Sequence, residues 1–206
     1  MLKVGLTGGM ASGKTTVGKM FVNLGAELIQ ADAISRDLLQ PGQAVYDEVV
    51  RHFGKGILNP DSTINRKHLA DATFGAGNSS RVKELNSIIH PEVIRLQEEW
   101  MDKVGRDNTS AIAIVEAALI LEAGSGDRFD KLIVVTCSEE QRVERFATRQ
   151  NANLATAREE VRRRMAAQLS DEEKKKRASF VIDNSGSLAD TAQQVNDVWK
   201  RLAVTA

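Results

Sequence analysis

Cysteine, proline and aromatic residues are scarce in this sequence of 206 residues, and neither sign of charge is in excess. The single cysteine, Cys137, excludes an intrachain disulfide and is typical of a protein from a reducing compartment. It follows the apolar run 134–136, which favours a half-buried structural thiol over a nucleophile. Because 28 basic residues balance 28 acidic ones and only 4 % of residues are aromatic, the composition argues against a nucleic-acid partner.

Long apolar runs are also lacking. No stretch approaches the roughly 20 residues that a membrane-spanning helix needs, so we expect no membrane partner. The first apolar stretch runs directly into a glycine-rich loop, so we expect no signal peptide and a cytoplasmic location. A hydrophobic content of 42 % is still enough for a sizeable core, and the length suits one α/β domain with an insertion.

The glycine-rich loop near the N-terminus is the most informative segment. The apolar run 2–7 continues as G-x-x-x-x-G-K-T, which comprises Gly8, Gly9, Met10, Ala11, Ser12, Gly13, Lys14 and Thr15, with Thr16 next. Glycines let such a loop turn its N–H groups around a polyphosphate, and the following helix points its positive dipole end at the same anion. Lys14 would reach the β- and γ-phosphates, and the Thr15 hydroxyl would ligate Mg²⁺. The alternative is a turn that only connects strand to helix.

Four further apolar runs indicate buried strands, and each ends at a polar residue. They cover 27–31, 111–115, 132–135 and 180–182, and they end at Asp32, Glu116, Thr136 and the pair Asp183-Asn184. Continuous apolar strands that alternate with helices predict an α/β fold with a five-stranded parallel sheet covered on both faces. Because ligands bind beyond the carboxyl ends of such strands, these polar residues are predicted to lie at one edge.

Two stretches depart from this alternation. Residues 39–105 have helical spacing, turns at 41–42, 54–56, 59–61 and 75–79, and a helix break at His90-Pro91, so we expect a helical insertion over the active edge. Residues 141–177 are helical and charge-dense, and a capping box begins at Ser170. A last helix is predicted to begin at Ser187, with a buried face made by Leu188, Ala192, Val195, Trp199 and Leu202.

Asp32 is the first candidate for acid–base chemistry. At this edge a carboxylate can orient an acceptor hydroxyl and take its proton, or hold a metal-bound water, although Asp is also a favoured helix N-cap. Arg36, one helical turn later, could pair with a substrate phosphate or with Asp32. Glu116 stands where many P-loop proteins carry an acid near Mg²⁺, or it begins a helix. A lone histidine such as His90 is more often a packed or helix-capping residue than a catalytic one.

Arg142, Arg145 and Arg149 are spaced so that one helix face displays all three. An arginine-bearing lid would neutralise a transferred phosphoryl group and exclude water, whereas the alternative is a solvated face. For the arginines at 162–164, ion pairs with the preceding glutamates are the preferred explanation, and the run 171–177 is interpreted as a solvated face. The loop 183–186 could present amide and carbonyl groups to a purine edge, or it is an ordinary turn.

Together these segments resemble the dephospho-CoA kinase family. The resemblance rests on the P-loop, Ala31-Asp32 with Arg36, Ile89-His90-Pro91, the run 118–122, Gln168, and the run 180–186. It implies a three-layer P-loop fold similar to that of nucleoside monophosphate kinases. A nucleotide-binding core would comprise 1–38, 106–140 and 178–206, a helical CoA domain 39–105, and a helical lid 141–177.

The resemblance also implies ATP-dependent phosphorylation of the ribose 3′-hydroxyl of dephospho-CoA, with Mg²⁺. Asp32 would be the base, and the other catalytic residues would be Lys14, Arg142 and Arg145. The implied substrate contacts are Thr7, Asp32, Arg36 and His90, while the P-loop, Arg149, Asn184 and Gly186 would bind ATP, the last two on its adenine side. Many relatives have Asp where Gln30 stands, so one acid of the pair is missing here.

Other functions share part of this pattern. A kinase of a nucleoside, a nucleotide or another small alcohol would carry a similar loop, acid and lid, but the length of the insertion and the His90-Pro91 pair favour dephospho-CoA. A GTP-dependent switch protein would usually carry Asn-Lys-x-Asp, and no such string occurs. The sequence leaves the oligomeric state open.

Overall fold

The computed structural model describes residues 1–74 and 79–205, so most of the turn predicted at 75–79 lies outside the described residues. All five predicted strands are present. They are β1 (Leu2–Thr7), β2 (Glu27–Gln30), β3 (Ile112–Glu116), β4 (Lys131–Thr136) and β5 (Phe180–Asp183). The strands form one parallel sheet in the order β2-β3-β1-β4-β5, so the strand that leads into the glycine-rich loop is central.

Helices connect these strands in the predicted alternation. They are α1 (Lys14–Asn23), α2 (Ala31–Leu38), α3 (Ala44–Phe53), α4 (Arg66–Phe74), α5 (Ser79–Asp107), α6 (Glu139–Gln150), α7 (Leu154–Ala166), α8 (Asp171–Arg177) and α9 (Leu188–Ala203). The chain separates into two compact units, one made of residues 1–30 and 101–206 and the other of residues 31–100. The three-part division into core, insertion and lid stays a prediction.

Helices α1 and α9 cover one face of the sheet. Val17 and Phe21 of α1 and Val195 and Leu202 of α9 are almost fully buried in one cluster with the apolar side chains of the strands. On the other face, Ile120 and the residues around it pack with side chains of β4. A parallel sheet buried on both faces accounts for the continuous apolar runs of its strands. The predicted fold class, a three-layer α/β P-loop fold, is confirmed.

The last helix begins as predicted, but one position of its predicted buried face is wrong. Ser187 caps α9 in a capping box with Asp190. Leu188 is 65 % exposed, whereas Thr191 is fully buried. The Thr191 hydroxyl donates to Asn184 Oδ1 (2.9 Å), which satisfies its polar group inside the core. The apolar pattern missed this position because threonine is not counted as apolar.

The predicted helix break at His90-Pro91 is also wrong, because α5 runs unbroken through Pro91. A proline inside a helix removes a hydrogen bond and costs roughly 3 kcal/mol. A continuous stripe of buried side chains on both sides of the proline offsets this cost. It comprises Ile89, Val93, Gln97, Met101 and Val104.

The second unit is helical by itself. Its α3 buries Val45, Tyr46 and Val49, and a single antiparallel bridge joins Leu58 to Ile64 in the connection that precedes α4. Among its described residues there is no strand, as predicted for this stretch. The stretch 141–177 is helical as predicted, with the capping box at Ser170. Across residues 1–74 and 79–205, no helix is both long and apolar enough to cross a membrane.

Candidate active site

The loop after β1 is a tight turn held by unusual backbone angles. Gly13 has a φ of +94° and precedes α1 without a side-chain cap. A Cβ at Gly8 would lie 2.2 Å from the Val135 carbonyl oxygen, so only glycine fits there. Ala11 is also left-handed, with a φ of +55°, which the sequence did not reveal. Such alternation of backbone angles forms the concave nests of N–H groups that bind anions.

Polar side chains of the loop lie against its own backbone. Lys14 Nζ donates to the carbonyl oxygens of Gly8 (3.0 Å) and Gly9 (3.4 Å). The Ser12 hydroxyl is buried and has no hydrogen-bond partner within the described part of the chain. A buried hydroxyl without a protein partner is costly unless a ligand or water satisfies it. Thr16 is exposed in the first turn of α1.

Glu116, at the end of β3, accepts two hydrogen bonds. Thr15 Oγ1 donates to Oε1 (2.7 Å), and Gln30 Nε2 donates to Oε2 (2.9 Å). The alternative that Glu116 begins a helix is wrong, because turns follow it. The donor set of a hydroxyl and a carboxylate fits Mg²⁺, which prefers oxygen ligands. No cluster of three or more His, Cys, Asp or Glu residues suited to a metal occurs in residues 1–74 and 79–205.

Arg142 lies against the glycine-rich loop. Its side chain is 3 % exposed, its Nη1 donates to the Met10 carbonyl (2.9 Å), and its Nη2 forms an ion pair with Asp171 at the start of α8. A Cβ at Gly9 would lie 2.3 Å from Arg142 Nη1, so the close approach depends on glycine. Met10 itself packs into a small core between α6 and α7. The predicted lid arginine therefore holds the loop from one side.

Arg145 and Asn184 converge on one carbonyl of the loop. Arg145 Nη1 (3.2 Å) and Asn184 Nδ2 (2.8 Å) both donate to the Ser12 carbonyl oxygen, and Arg145 Nη2 donates to the Asn184 carbonyl (2.9 Å). Both polar ends of the buried Asn184 side chain are bonded within the protein, since Oδ1 accepts from Thr191. Gly186 is exposed in the turn before α9.

Three more residues of this unit have clear environments. Arg149 is exposed, with its guanidinium carbon 5.9 Å from the centre of the Phe146 ring. Thr7 is fully buried, and its hydroxyl donates to the Ala118 carbonyl (3.2 Å). Cys137 is buried rather than half-buried as predicted, and burial raises the pKa of its thiol, which disfavours a reactive thiolate.

The second unit carries Asp32, Arg36 and His90. Because α2 begins at Ala31, directly after β2, Asp32 lies in the first helical turn rather than at the N-cap. Asp32 and Arg36 are exposed and one turn apart. Burial lowers the pKa of His90, so its imidazole is neutral at neutral pH and offers one donor and one acceptor.

Sequence reasoning missed the roles of α8. The run 171–177 was expected to be a solvated face, but Lys174 is fully buried beside Glu122, and Asp171 pairs with Arg142. The interpretation fails because charge density alone does not show which charges have buried partners.

Comparison with known proteins identifies the family. A sequence model described as dephospho-CoA kinase matches residues 2–190. The chain belongs to the dephospho-CoA kinase family. A dephospho-CoA kinase from Geobacter sulfurreducens is 38 % identical over 198 residues, which cover 96 % of this chain and 97 % of the relative.

Solved structures agree with this assignment. The crystal structure of TT1252 from Thermus thermophilus is 31 % identical, with a TM-score of 0.78, and the match covers 97 % of this chain and 96 % of the other. Dephospho-CoA kinase from Campylobacter jejuni is 27 % identical, with a TM-score of 0.69, and the match covers 98 % and 97 % of the two chains. The family and the fold inferred from the sequence are therefore confirmed.

Proposed function

We propose that this chain transfers the γ-phosphate of ATP to the ribose 3′-hydroxyl of dephospho-CoA and releases coenzyme A and ADP. Its family supports this reaction. The observation that carries the proposal is the glycine-rich loop, whose left-handed turn at Gly13 leads directly into the N-terminus of α1. ATP as substrate and a single buried cysteine support a cytoplasmic location.

The loop 8–16 binds the phosphates of ATP. Its N–H groups and the dipole of α1 attract the anion, and the buried Ser12 hydroxyl gains a partner there. Lys14 supplies a positive charge to the β- and γ-phosphates. The adenine side is assigned to the turn at Gly186, with Asn184 as its anchor, because the Asn184 side chain is committed to the protein.

Thr15 and Glu116 would hold Mg²⁺, Thr15 as a direct ligand and Glu116 through the Thr15 hydroxyl or a bound water. When bound, Mg²⁺ neutralises the charge of the phosphates as it develops during transfer. Within the protein, Glu116 accepts a hydrogen bond from the Thr15 hydroxyl, which leaves the lone pairs of that hydroxyl available to a cation.

We assign different roles to the three arginines of the predicted lid. Arg145 is partly exposed and Arg149 is exposed, and both are assigned to the negative charge that spreads over the transferred phosphoryl oxygens. The Nη atoms of both Arg142 and Arg145 are bonded inside the protein, but only Arg142 is almost fully buried, so its main contribution is to the shape of the loop.

Dephospho-CoA is assigned to residues at the start of the insertion and within it. Asp32 orients the 3′-hydroxyl and takes its proton as the new bond to phosphorus forms. Arg36 supplies a positive charge to a substrate phosphate, and the neutral His90 offers a hydrogen bond. Thr7 is fully buried and its hydroxyl donates to the Ala118 carbonyl, so we assign it to holding the segment after β3 rather than to a substrate contact.

The reaction is tested by incubating the purified protein with dephospho-CoA, ATP and Mg²⁺ and detecting the product by mass spectrometry. We expect one added phosphate and co-elution with authentic coenzyme A. AMP, CMP and shikimate serve as competing acceptors. Faster transfer to any of these than to dephospho-CoA would identify a kinase of another small alcohol and refute the proposal.

Asp32→Asn tests the base. The amide keeps the shape but cannot take a proton at neutral pH, so ATP binding should persist while kcat falls about 10²-fold to 10⁴-fold. Asp37→Asn on the same helix is the control, since Asp37 is also exposed. A change in the KM for dephospho-CoA alone, with kcat unchanged, would make Asp32 a binding residue.

A further inference from the structure

Gln30 and Glu116 form a side-chain pair across the edge of the sheet. Gln30 is the last residue of β2 and stands in register with Glu116, the last residue of β3. In-register residues on neighbouring parallel strands lie about 4.8 Å apart and project to the same face. Here the Gln30 amide donates to Glu116 Oε2 at 2.9 Å, so the contact is a formed hydrogen bond.

The second oxygen of the same carboxylate faces the phosphate loop. Thr15 Oγ1 donates to Glu116 Oε1 at 2.7 Å, so the carboxylate is held at one oxygen by Gln30 and at the other by Thr15. Glu116 is 7 % exposed. Two donors on a buried carboxylate fix one orientation of it.

The orientation of the Glu116 carboxylate fixes the direction in which the Thr15 hydroxyl proton points. A threonine hydroxyl has one proton and two lone pairs, and donation to Glu116 points the lone pairs elsewhere. A cation can only be ligated by the lone pairs. If Gln30 did not hold Oε2, the carboxylate could rotate and the Thr15 proton could turn toward the cation.

The neutral amide matters as much as its hydrogen bond. A carboxylate at position 30 would place a second negative charge beside Glu116, and like charges that face each other across strands are destabilising. It would also offer no donor to Oε2. Gln30 therefore supplies a donor to Glu116 and adds no charge.

We propose that Gln30 is a positioning residue for the metal–nucleotide complex, which it serves by orienting Glu116 and, through Glu116, the Thr15 hydroxyl. This inference rests on the proposed role of Thr15 toward Mg²⁺. It concerns the cation-dependent part of nucleotide binding and leaves the contacts of the loop with the phosphates unchanged.

The test is calorimetric binding of a non-hydrolysable ATP analogue, first in EDTA and then with saturating MgCl₂. The ratio of the two dissociation constants is the gain due to Mg²⁺. Gln30→Leu keeps the volume but removes the donor, and we expect it to reduce this gain about tenfold, the size of one hydrogen bond to a charged group. Affinity in EDTA should stay within about twofold of wild type, because Gln30 does not act on the phosphates.

Gln193→Leu is the matched control. The Gln193 amide also faces a carboxylate, that of Asp197 at 3.2 Å, but on the exposed face of α9. Its Mg²⁺ gain should equal that of wild type. Because Gln30 acts through Glu116, Gln30→Leu should cause no further loss of gain in a Glu116→Gln background.

Three results would overturn the inference. They are an unchanged Mg²⁺ gain in Gln30→Leu, an equal loss of affinity with and without Mg²⁺, and full additivity with Glu116→Gln. If Gln30→Leu unfolds, Gln30→Met removes the donor without adding a charge and should show the same reduced gain. A wild-type protein whose affinity ignores Mg²⁺ would instead refute the metal role of Thr15, and the inference with it.

Discussion

A buried ion pair beneath α8 offers a quantitative test of the structure. Lys174 is fully buried, and its Nζ lies 2.9 Å from Glu122 Oε1. The same oxygen accepts from the Leu169 N–H at 3.1 Å, and the Glu122 side chain is only 17 % exposed. Removal of one partner from such a pair leaves the other charge uncompensated and is strongly destabilising.

Lys174→Met should therefore lower the free energy of unfolding by about 3–5 kcal/mol. For a chain of this size each kcal/mol is worth about 2–4 °C, so the midpoint of thermal unfolding should fall by about 6–20 °C. Lys175→Met is the control, because Lys175 is next to Lys174 in the chain but is partly exposed and pairs with the exposed Glu172. That change should cost less than about 1 kcal/mol.

Urea unfolding and thermal melts of both variants measure the difference. Replacing both members of the pair, Lys174→Met with Glu122→Leu, should recover most of the lost stability, because no unpaired charge remains. A loss below about 1 kcal/mol in Lys174→Met would refute the reasoning, because it would mean that Glu122 is compensated or solvated. So would a double variant as unstable as the sum of the two single changes.

Three further predictions concern the loop, the lid and acid stability. Lys14→Ala should reduce kcat by orders of magnitude and keep the circular dichroism of the folded protein, and wild-type turnover would remove the loop from the mechanism. Arg145→Lys should reduce kcat by about 10²-fold because the bidentate fork is lost, and unchanged kinetics would make it a structural residue. Hydrogen bonds and ion pairs with Arg163 and Arg164 lower the pKa of Glu160 to about 2. This pairing therefore stabilises the fold fully at pH values above the ordinary pKa of a glutamate, and the stabilisation is lost as the pH falls toward 2. Glu160→Gln should therefore cost about 0.5–1 kcal/mol at pH 7 and progressively less below pH 4.5, measured by urea unfolding at each pH, and a constant difference would contradict the pairing.

The strands and the phosphate loop could be predicted because their signals are local. Continuous apolar runs suffice to predict strands that are buried on both faces, and the capping boxes at Ser170 and Ser187 mark helix starts within four residues of sequence. The errors arose where local rules compete with packing. Pro91 breaks isolated helices, yet a buried stripe carries α5 through it.

The hydrogen bonds within the site could not be predicted, because they join residues that are far apart in the chain. Arg142 is 132 residues from Met10, and Asn184 is 172 residues from Ser12. Helical spacing showed that the arginines share a face, but not that two of them bond to carbonyls of the loop. These contacts depend on the order of strands in the sheet, which brings β4 beside β1 and β5 beside β4.

The bonds from Arg142 and Arg145 to carbonyls of the glycine-rich loop explain how arginines can support an anion site without contacting the anion. In a planar trans peptide the C=O and N–H groups point in opposite directions. Arg142 bonds the Met10 carbonyl, and Arg145 and Asn184 bond the Ser12 carbonyl, so these carbonyls face α6 and the turn after β5. The N–H groups of the same two peptide units must then face the other way, where a polyphosphate can accept from them. The arginines thus orient the N–H groups to which we assign the phosphates, whether or not the arginines themselves contact a phosphate.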